Sequence, residues 1–436
     1  MKKITYLALL LLLGQQTFAQ SVEQIISKEY VESLIKTLSS DDMQGRATFT
    51  PGIDKAAKFI ESEFKSISLK PLSTEQGFRQ SFSKVQLKPS NTTVTINGKT
   101  IDAANVMVSG NTAESISFDQ TSNTAVVYLD ASKTFMEQLR PLTRSGKKQI
   151  VIVNPSFKED FNRIKAYMDQ GSIIDQKNIT TDPNVTVLIL DEATAVKDYS
   201  VSLKNTLLNM PLFNVAGMIP GKSKAKEIVV FSGHYDHLGV IKAVGQDSIA
   251  NGADDDASGI TGMIALAKYY KKLNNNERTL IFVAFTAEEI GGYGSQYFSS
   301  KLNPDDVTAM FNIEMIGKDS KFGQNTAYIT GFEKSDFGAI LQKNLKGTEF
   351  TFHPDPYPEQ RLFYRSDNAT LAALGVPAHT ISTVQIDGDK LYHTVKDEFS
   401  SLDVNNILST IRGIAKSAIT IVKGTDTPTR IPKLTN

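Results

Sequence analysis

The sequence predicts an α/β fold: a mixed, mostly parallel central sheet between helices, with a smaller β-rich inserted domain. Three observations carry that reading. From Met210 onward, short apolar runs rich in β-branched residues alternate with helix-periodic stretches, the order that builds a largely parallel sheet. From about Val85 to Lys204 the texture changes to short β-rich runs separated by polar stretches. Before that, residues between Val22 and Ser68 place apolar side chains at helical spacing.

Taken in order, the chain opens with Lys2 and Lys3, an apolar run from Ile4 to Leu13, and a small residue at Ala19. A basic start, a run too short to span a bilayer and a small residue before the cut predict a signal peptide over 1–19, leaving Gln20 first. The expected destination is export, periplasmic or secreted, with no membrane insertion after cleavage. There is no cysteine, so neither a lipid-bearing cysteine nor a disulfide is available. Residues 20–84 form the helical entry, with Ile25, Ile26, Val31, Leu34 and Ile35, then Ala56, Ala57, Phe59, Ile60 and Phe64, on inward faces. Within 85–204 the strand candidates are Thr93–Ile96, Ala125–Leu129, Gln149–Val153 and Val185–Leu190, interrupted by one helix at Phe161–Met168. Over 205–423 the expected elements are strands at Glu227–Ser232, Arg278–Phe285, Ala309–Ile313 and Ala378–Ser382, with a helix at Gly259–Leu273. Residues 424–436 read as a polar tail ordered by docking.

The chain has 436 residues, enough for two domains, and its 47 basic side chains equal its 47 acidic ones. Such a balance supplies no electrostatic footprint for nucleic acid or an anionic membrane.

Ligand-type residues recur just after the strands. His234, Tyr235, Asp236 and His237 follow one, Glu288 and Glu289 another, Glu314 a third, and His393 lies in a loop beyond the fourth. Carboxyl ends of strands in an open α/β sheet are where sites assemble. Asp254, Asp255 and Asp256 stand just before a helix. Alone, that run reads equally well as an acidic helix N-terminus favoured by capping and the helix dipole. With the other clusters it reads as part of a cation site. Imidazole plus carboxylate without thiolate suits zinc, with cobalt or manganese as substitutes. Two histidines and three carboxylates exceed one open tetrahedral zinc and fit two metals sharing a bridging carboxylate and a water.

The segments Ser-Gly-His234-Tyr-Asp236-His, Asn-Gly-Ala-Asp254-Asp255-Asp256, Ala-Glu288-Glu289, Asn312-Ile-Glu314-Met, Arg365-Ser-Asp367 and Tyr392-His393-Thr resemble, in order, the motifs of the co-catalytic zinc exopeptidases, metallopeptidase family twenty-eight. The resemblance covers about Leu38–Pro71 and Met210–Ile421 and implies a zinc-exopeptidase fold. It implies two Zn2+ ions: His234 and Glu314 on the first, Glu289 and His393 on the second, Asp255 bridging both and followed by a cis peptide bond. Asp236 would orient the His234 ring, Glu288 would be the general base for an attacking water, and Tyr392 would help hold the oxyanion. The implied activity is an aminopeptidase removing N-terminal residues from peptides. A glutaminyl cyclase, a carboxypeptidase-type relative and, in a different class, a non-catalytic receptor-like binding module stay open. The complete ligand set weighs against the last. The 85–204 insert resembles a protease-associated domain, expected either to wall the cleft or to be structural.

Two positions depart from the family pattern: Glu314 stands where many relatives carry Asp, and Asn368 where they often carry His. Arg365 is a candidate substrate contact or a surface ion-pair residue. His237, His353 and His379 are expected to be structural, His237 by bonding to backbone. Asp367 is expected beside the site rather than as a ligand, and Gly45-Arg46 as turn and packing.

Overall fold

The structure is a computed structural model describing residues 21–112, 115–180 and 184–434. The expected signal peptide lies outside the described residues. The chain divides into two compact units. One combines the residues up to Gln80 with those from Phe213 onward, and the other is Ser81–Leu212.

The first unit is built on four adjacent parallel strands, in the order Ala378–Ser382, Val307–Ile313, Lys224–His234 and Arg278–Phe285. Three are buried along their whole length and the Lys224–His234 strand from Val229 onward, as near-continuous Val, Ile and Phe runs require. Beyond Ala378–Ser382, Thr326–Ile329 joins antiparallel and Thr351–Pro354 lies parallel to it. Beyond Arg278–Phe285, residues 215–219 pair antiparallel. The sheet is therefore mixed with a parallel centre. Phe231 marks that centre, stacked on Phe282 at 5.4 Å and on Phe311 at 4.8 Å between ring centroids. Truncating a phenylalanine so enclosed costs about 3–5 kcal/mol.

Helices cover the sheet. Gly259–Leu273 is buried continuously from Gly259 to Ala267 and ends at Asn274 in the left-handed conformation. Lys28–Leu38 starts at Ser27, whose hydroxyl accepts from the Tyr30 N–H, and buries Val31, Leu34, Ile35 and Leu38. Pro51–Ile67 begins with proline, where its missing N–H is harmless. Val404–Ser417 is capped by the Asp403 carboxylate, which accepts from the N–H groups of Asn405 and Asn406. These helices share one apolar cluster with the sheet. The tail is irregular but docked: Arg430 donates to the Val307 carbonyl and Ile431 is buried.

In the second unit, Val106–Gly110, Val185–Leu190, Gln149–Val153 and Ala125–Tyr128 form a sheet in that order, the first pair antiparallel and the others parallel. It holds two longer helices, Phe135–Thr143 and Lys158–Met168. The sequence reading has only the latter. Pro141 disguises the former, yet it sits near the helix end, and Phe135 and Leu139 are buried one turn apart. Among the described residues no helix is long and apolar enough to cross a membrane.

Candidate active site

Register brings the ligand-type residues to one end of the sheet. His234 is the last residue of its strand and lies opposite Phe285, with Glu288 and Glu289 three and four positions beyond. Ser232 lies opposite Asn312, and Asn312 opposite Thr380, so Glu314 follows on the same edge. The Asp254–Asp256 turn must reach this edge from the start of the Gly259–Leu273 helix. Gly259 permits the approach, since a Cβ there would stand 2.1 Å from the Ile313 carbonyl oxygen. The Asp255–Asp256 peptide bond is cis, as the resemblance implies.

Asp255 lies between two histidines and offers one oxygen to each. His234 Nε2 is 3.1 Å from Oδ1, and His393 Nε2 is 3.2 Å from Oδ2. His393 Nε2 also stands 3.1 Å from Glu289 Oε2. Glu314 accepts from the Asn312 amide at 3.3 Å and from the Ser366 hydroxyl. Asp255, Glu288, Glu314, Tyr392 and Arg365 line one cleft. Tyr392 stacks on the His393 ring at 3.8 Å. Arg365 is exposed, and among the described residues its guanidinium hydrogen-bonds only Gln360.

The donor set fits zinc. His234 Nε2 and His393 Nε2 are buried without a hydrogen-bond partner and face carboxylate oxygens, as imidazole and carboxylate ligands around a cation must. Electrostatics agree. Burial would raise the Asp255 pKa, but the His234 and His393 rings hold it well below the usual range. Burial pulls His393 down, yet the Asp255 and Glu289 carboxylates beside its ring carry it up to about 10. A cation bound among these imidazoles would offset the crowded carboxylates. Burial also pushes the Glu288 carboxyl well up, helped by Glu314, Asp367 and Asp236. Asp367 is buried and raised to about 7 by the same cause.

Asp236 sits elsewhere in the network than its expected role suggests. The His234 ring is held through Nδ1 by the Asp236 main-chain carbonyl at 3.1 Å, whereas the Asp236 carboxylate is 3.9 Å away. That carboxylate accepts from the N–H groups of Glu288 at 3.1 Å and Glu289 at 3.3 Å, and from Thr48. It fixes the turn carrying those two glutamates. His237 is buried, and Nδ1 bonds a side chain, Glu289 Oε1 at 2.8 Å, rather than backbone. His379 is structural, bonded to the Thr330 carbonyl and the Ser335 hydroxyl, and His353 stacks on Phe322.

Among the supporting residues, Arg46 serves turn and packing as expected, whereas Asp397 has no counterpart in the sequence reading. Arg46 is fully buried and donates to the carbonyls of Leu38, Tyr235, Asn251 and Gly252, and weakly to that of Asp255. It ties the loop after His234 to the aspartate turn. The Asp397 carboxylate accepts from the N–H groups of Asp254 and Asp255. Asp256 accepts from those of His234, Gly259 and Met315. The only sequence signal for these is a charged residue in a glycine-rich or acidic turn, which is common at surfaces.

The model of Peptidase family M28 matches residues 214–418. The chain is 25% identical over 244 residues to the vacuolar membrane protease of Schizosaccharomyces pombe, covering 54% of this chain and 26% of that protein. It is 28% identical over 213 residues to leucine aminopeptidase 1 of Ajellomyces capsulatus, covering 45% of this chain and 52% of that protein. It thus spans about half the length, or less, of these curated relatives. Among solved structures, an aminopeptidase from Aneurinibacillus sp. strain AM-1 shares the fold, with a TM-score of 0.53 at 19% identity, over 95% of this chain and 98% of that one. The matched segment carries every ligand-type residue at the sheet edge, on the fold that solved relative shares, and it is to peptidase family M28 that this part of the chain is similar.

Proposed function

We propose that the chain is an exported zinc aminopeptidase, with a signal peptide cut after Ala19, hydrolysing N-terminal residues from peptides. The observation that carries the reading is Asp255, one oxygen toward His234 and the other toward His393, in the cleft that Glu288 lines. His234, Asp255 and Glu314 would hold one zinc, and Asp255, Glu289 and His393 the other. When bound, such a pair supplies Lewis acidity for the attacking water and the scissile carbonyl.

The chain's own groups do the rest. Glu288, with its carboxyl raised by burial, is tuned to take a proton from water and return it to the departing amine. Asp236 holds that glutamate's turn in place through two N–H groups. Burial, with Asp255 and Glu289 nearby, keeps the Tyr392 hydroxyl protonated, so it is a donor for the oxyanion. The buried carboxylates favour a cationic α-amino group over a blocked one.

The cleft also speaks to the first side chain. Met315, Leu362, Val384 and Ile386 line it. The hydroxyls beside them are engaged: Tyr328 donates to the Val384 carbonyl, Thr380 to the Asn368 side chain and Ser382 to the Met315 carbonyl. An apolar first residue matches such a wall. Arg365 lines the same cleft as a further substrate contact.

A panel of aminoacyl p-nitroanilides, run beside N-blocked and C-blocked peptides, tests this. Leucyl and methionyl substrates should exceed lysyl ones, and N-blocked peptides should resist. Equal cleavage of N-blocked peptides would sink the aminopeptidase reading, and one tightly bound zinc instead of two would sink the paired site.

A further inference from the structure

Glu289 is gripped at both oxygens. Oε2 faces His393 Nε2 at 3.1 Å, and Oε1 faces His237 Nδ1 at 2.8 Å. Only Oε2 belongs to the set of atoms that the proposed second zinc would join. His237 belongs to none of the motif roles, yet it is buried within the same cluster, with Nδ1 3.7 Å from Asp255 Oδ2.

The His237 ring is fixed from outside that cluster. Its main-chain N–H donates to the Arg46 carbonyl at 3.3 Å. Its ring packs on Gly252, at φ +54, where a Cβ would come within 2.6 Å of the imidazole carbons. An ionised carboxylate only accepts, so the proton of this contact resides on His237 Nδ1. A glutamate has three side-chain torsions to settle, and a charge-assisted bond from a rigid ring settles them.

We propose that His237 is a positioning residue for the Glu289 side of the metal pair: it donates from Nδ1 to Glu289 Oε1, turns Oε2 toward His393 and Asp255, and contributes no ligand atom itself. Were Nδ1 to take a metal, it would have to give up the 2.8 Å bond to Glu289. The inference rests on the proposed paired-zinc reading and adds a role for a third histidine. Partners that orient metal ligands in this way are typically worth ten- to a hundredfold in metal affinity.

The test measures zinc binding apart from turnover. Wild type, His237→Leu and His237→Asn are stripped, equilibrated in zinc buffers of graded free concentration, and assayed for bound zinc by elemental analysis. Leu removes the donor, while the Asn amide offers one near the position of Nδ1. His237→Met replaces the Leu variant if that one fails to fold by circular dichroism. The expected result is one zinc held as in wild type and a second held about ten- to a hundredfold more weakly in the Leu variant, with Asn restoring most of the difference. Two zincs bound to His237→Leu as tightly as to wild type would overturn the proposal. So would a Asn variant no better than Leu, or a zinc–His237 bond in a metal-loaded crystal structure. If wild type itself binds no zinc pair, the metal-centre reading fails, and that is seen before any variant is compared.

Discussion

Replacing Arg46 by Met keeps the aliphatic stem and removes the guanidinium from beneath the site. Four of its bonds to carbonyls are short: 2.7 Å to Leu38, 2.9 Å to Tyr235, 2.6 Å to Asn251 and 2.9 Å to Gly252. The contact to Asp255, at 3.5 Å, counts little. At about 1.5 kcal/mol for a bond from a charged donor, the four are worth about 6 kcal/mol together. Burying the charge works against this by several kcal/mol. That penalty is softened because Asp255, Asp397, Asp256 and Asp236 surround the guanidinium. The net loss expected for Arg46→Met is about 3 kcal/mol. Lysine, a point donor that cannot serve three chain segments at once, should recover less than half of it. Urea unfolding of the stripped protein, followed by circular dichroism, measures the loss, and zinc affinity measured in parallel should fall with it. Millimolar guanidinium should partly restore zinc affinity to Arg46→Ala by refilling the vacated space. A loss under about 1 kcal/mol with zinc affinity unchanged would refute the reasoning, because the four carbonyls would then have found other donors.

Glu288→Gln should lower kcat by about a hundred- to ten-thousandfold while zinc stoichiometry, read by elemental analysis, stays at the wild-type value. Asp255→Asn should abolish paired zinc binding. Asp256→Asn should instead keep the stoichiometry but lower stability by about 1–3 kcal/mol, since its carboxylate serves three main-chain N–H groups. His379 supplies a pH dependence well away from the metals. Burial lowers its pKa from the ordinary 6.5 to about 4, so the unfolded chain takes up a proton that the folded one refuses. Its contribution is therefore fully present above pH 6.5 and is lost as pH falls toward 4, costing about 2 kcal/mol by pH 5. His379→Asn should flatten that part of the urea-stability profile, and an unchanged slope would assign the acid sensitivity elsewhere.

The parallel centre of the sheet was legible because its strands are buried on both faces and write themselves as apolar runs: Arg278–Phe285 and Ala378–Ser382 form over the very residues the runs mark. Most ligand-type residues were legible because they follow such runs, and Asp255, which precedes a helix, was legible only beside them. What the sequence conceals is the choice between backbone and side chain as partner. His237 and Asp236 both show it: the histidine bonds a carboxylate where backbone was expected, and the aspartate holds the Glu288–Glu289 turn, leaving the His234 ring to a carbonyl. One backbone rotation interchanges such roles without altering any residue. Arg46 was legible only as turn and packing: its acceptors are carbonyls, which every residue possesses, so no sequence pattern marks which ones it takes.

Those carbonyls carry one more implication. Arg46 closes onto Tyr235 across 189 positions and onto Gly252 across 206, with the whole Ser81–Leu212 unit lying between in the chain. Closing so long a loop costs entropy that grows only logarithmically, about 0.6 kcal/mol for each doubling. Equilibrium therefore scarcely registers the length of the intervening stretch, whereas the speed of folding does, because distant contacts must be found before they are rewarded. Shortening Ser81–Leu212 should leave the unfolding midpoint of the other unit nearly in place and hasten its refolding.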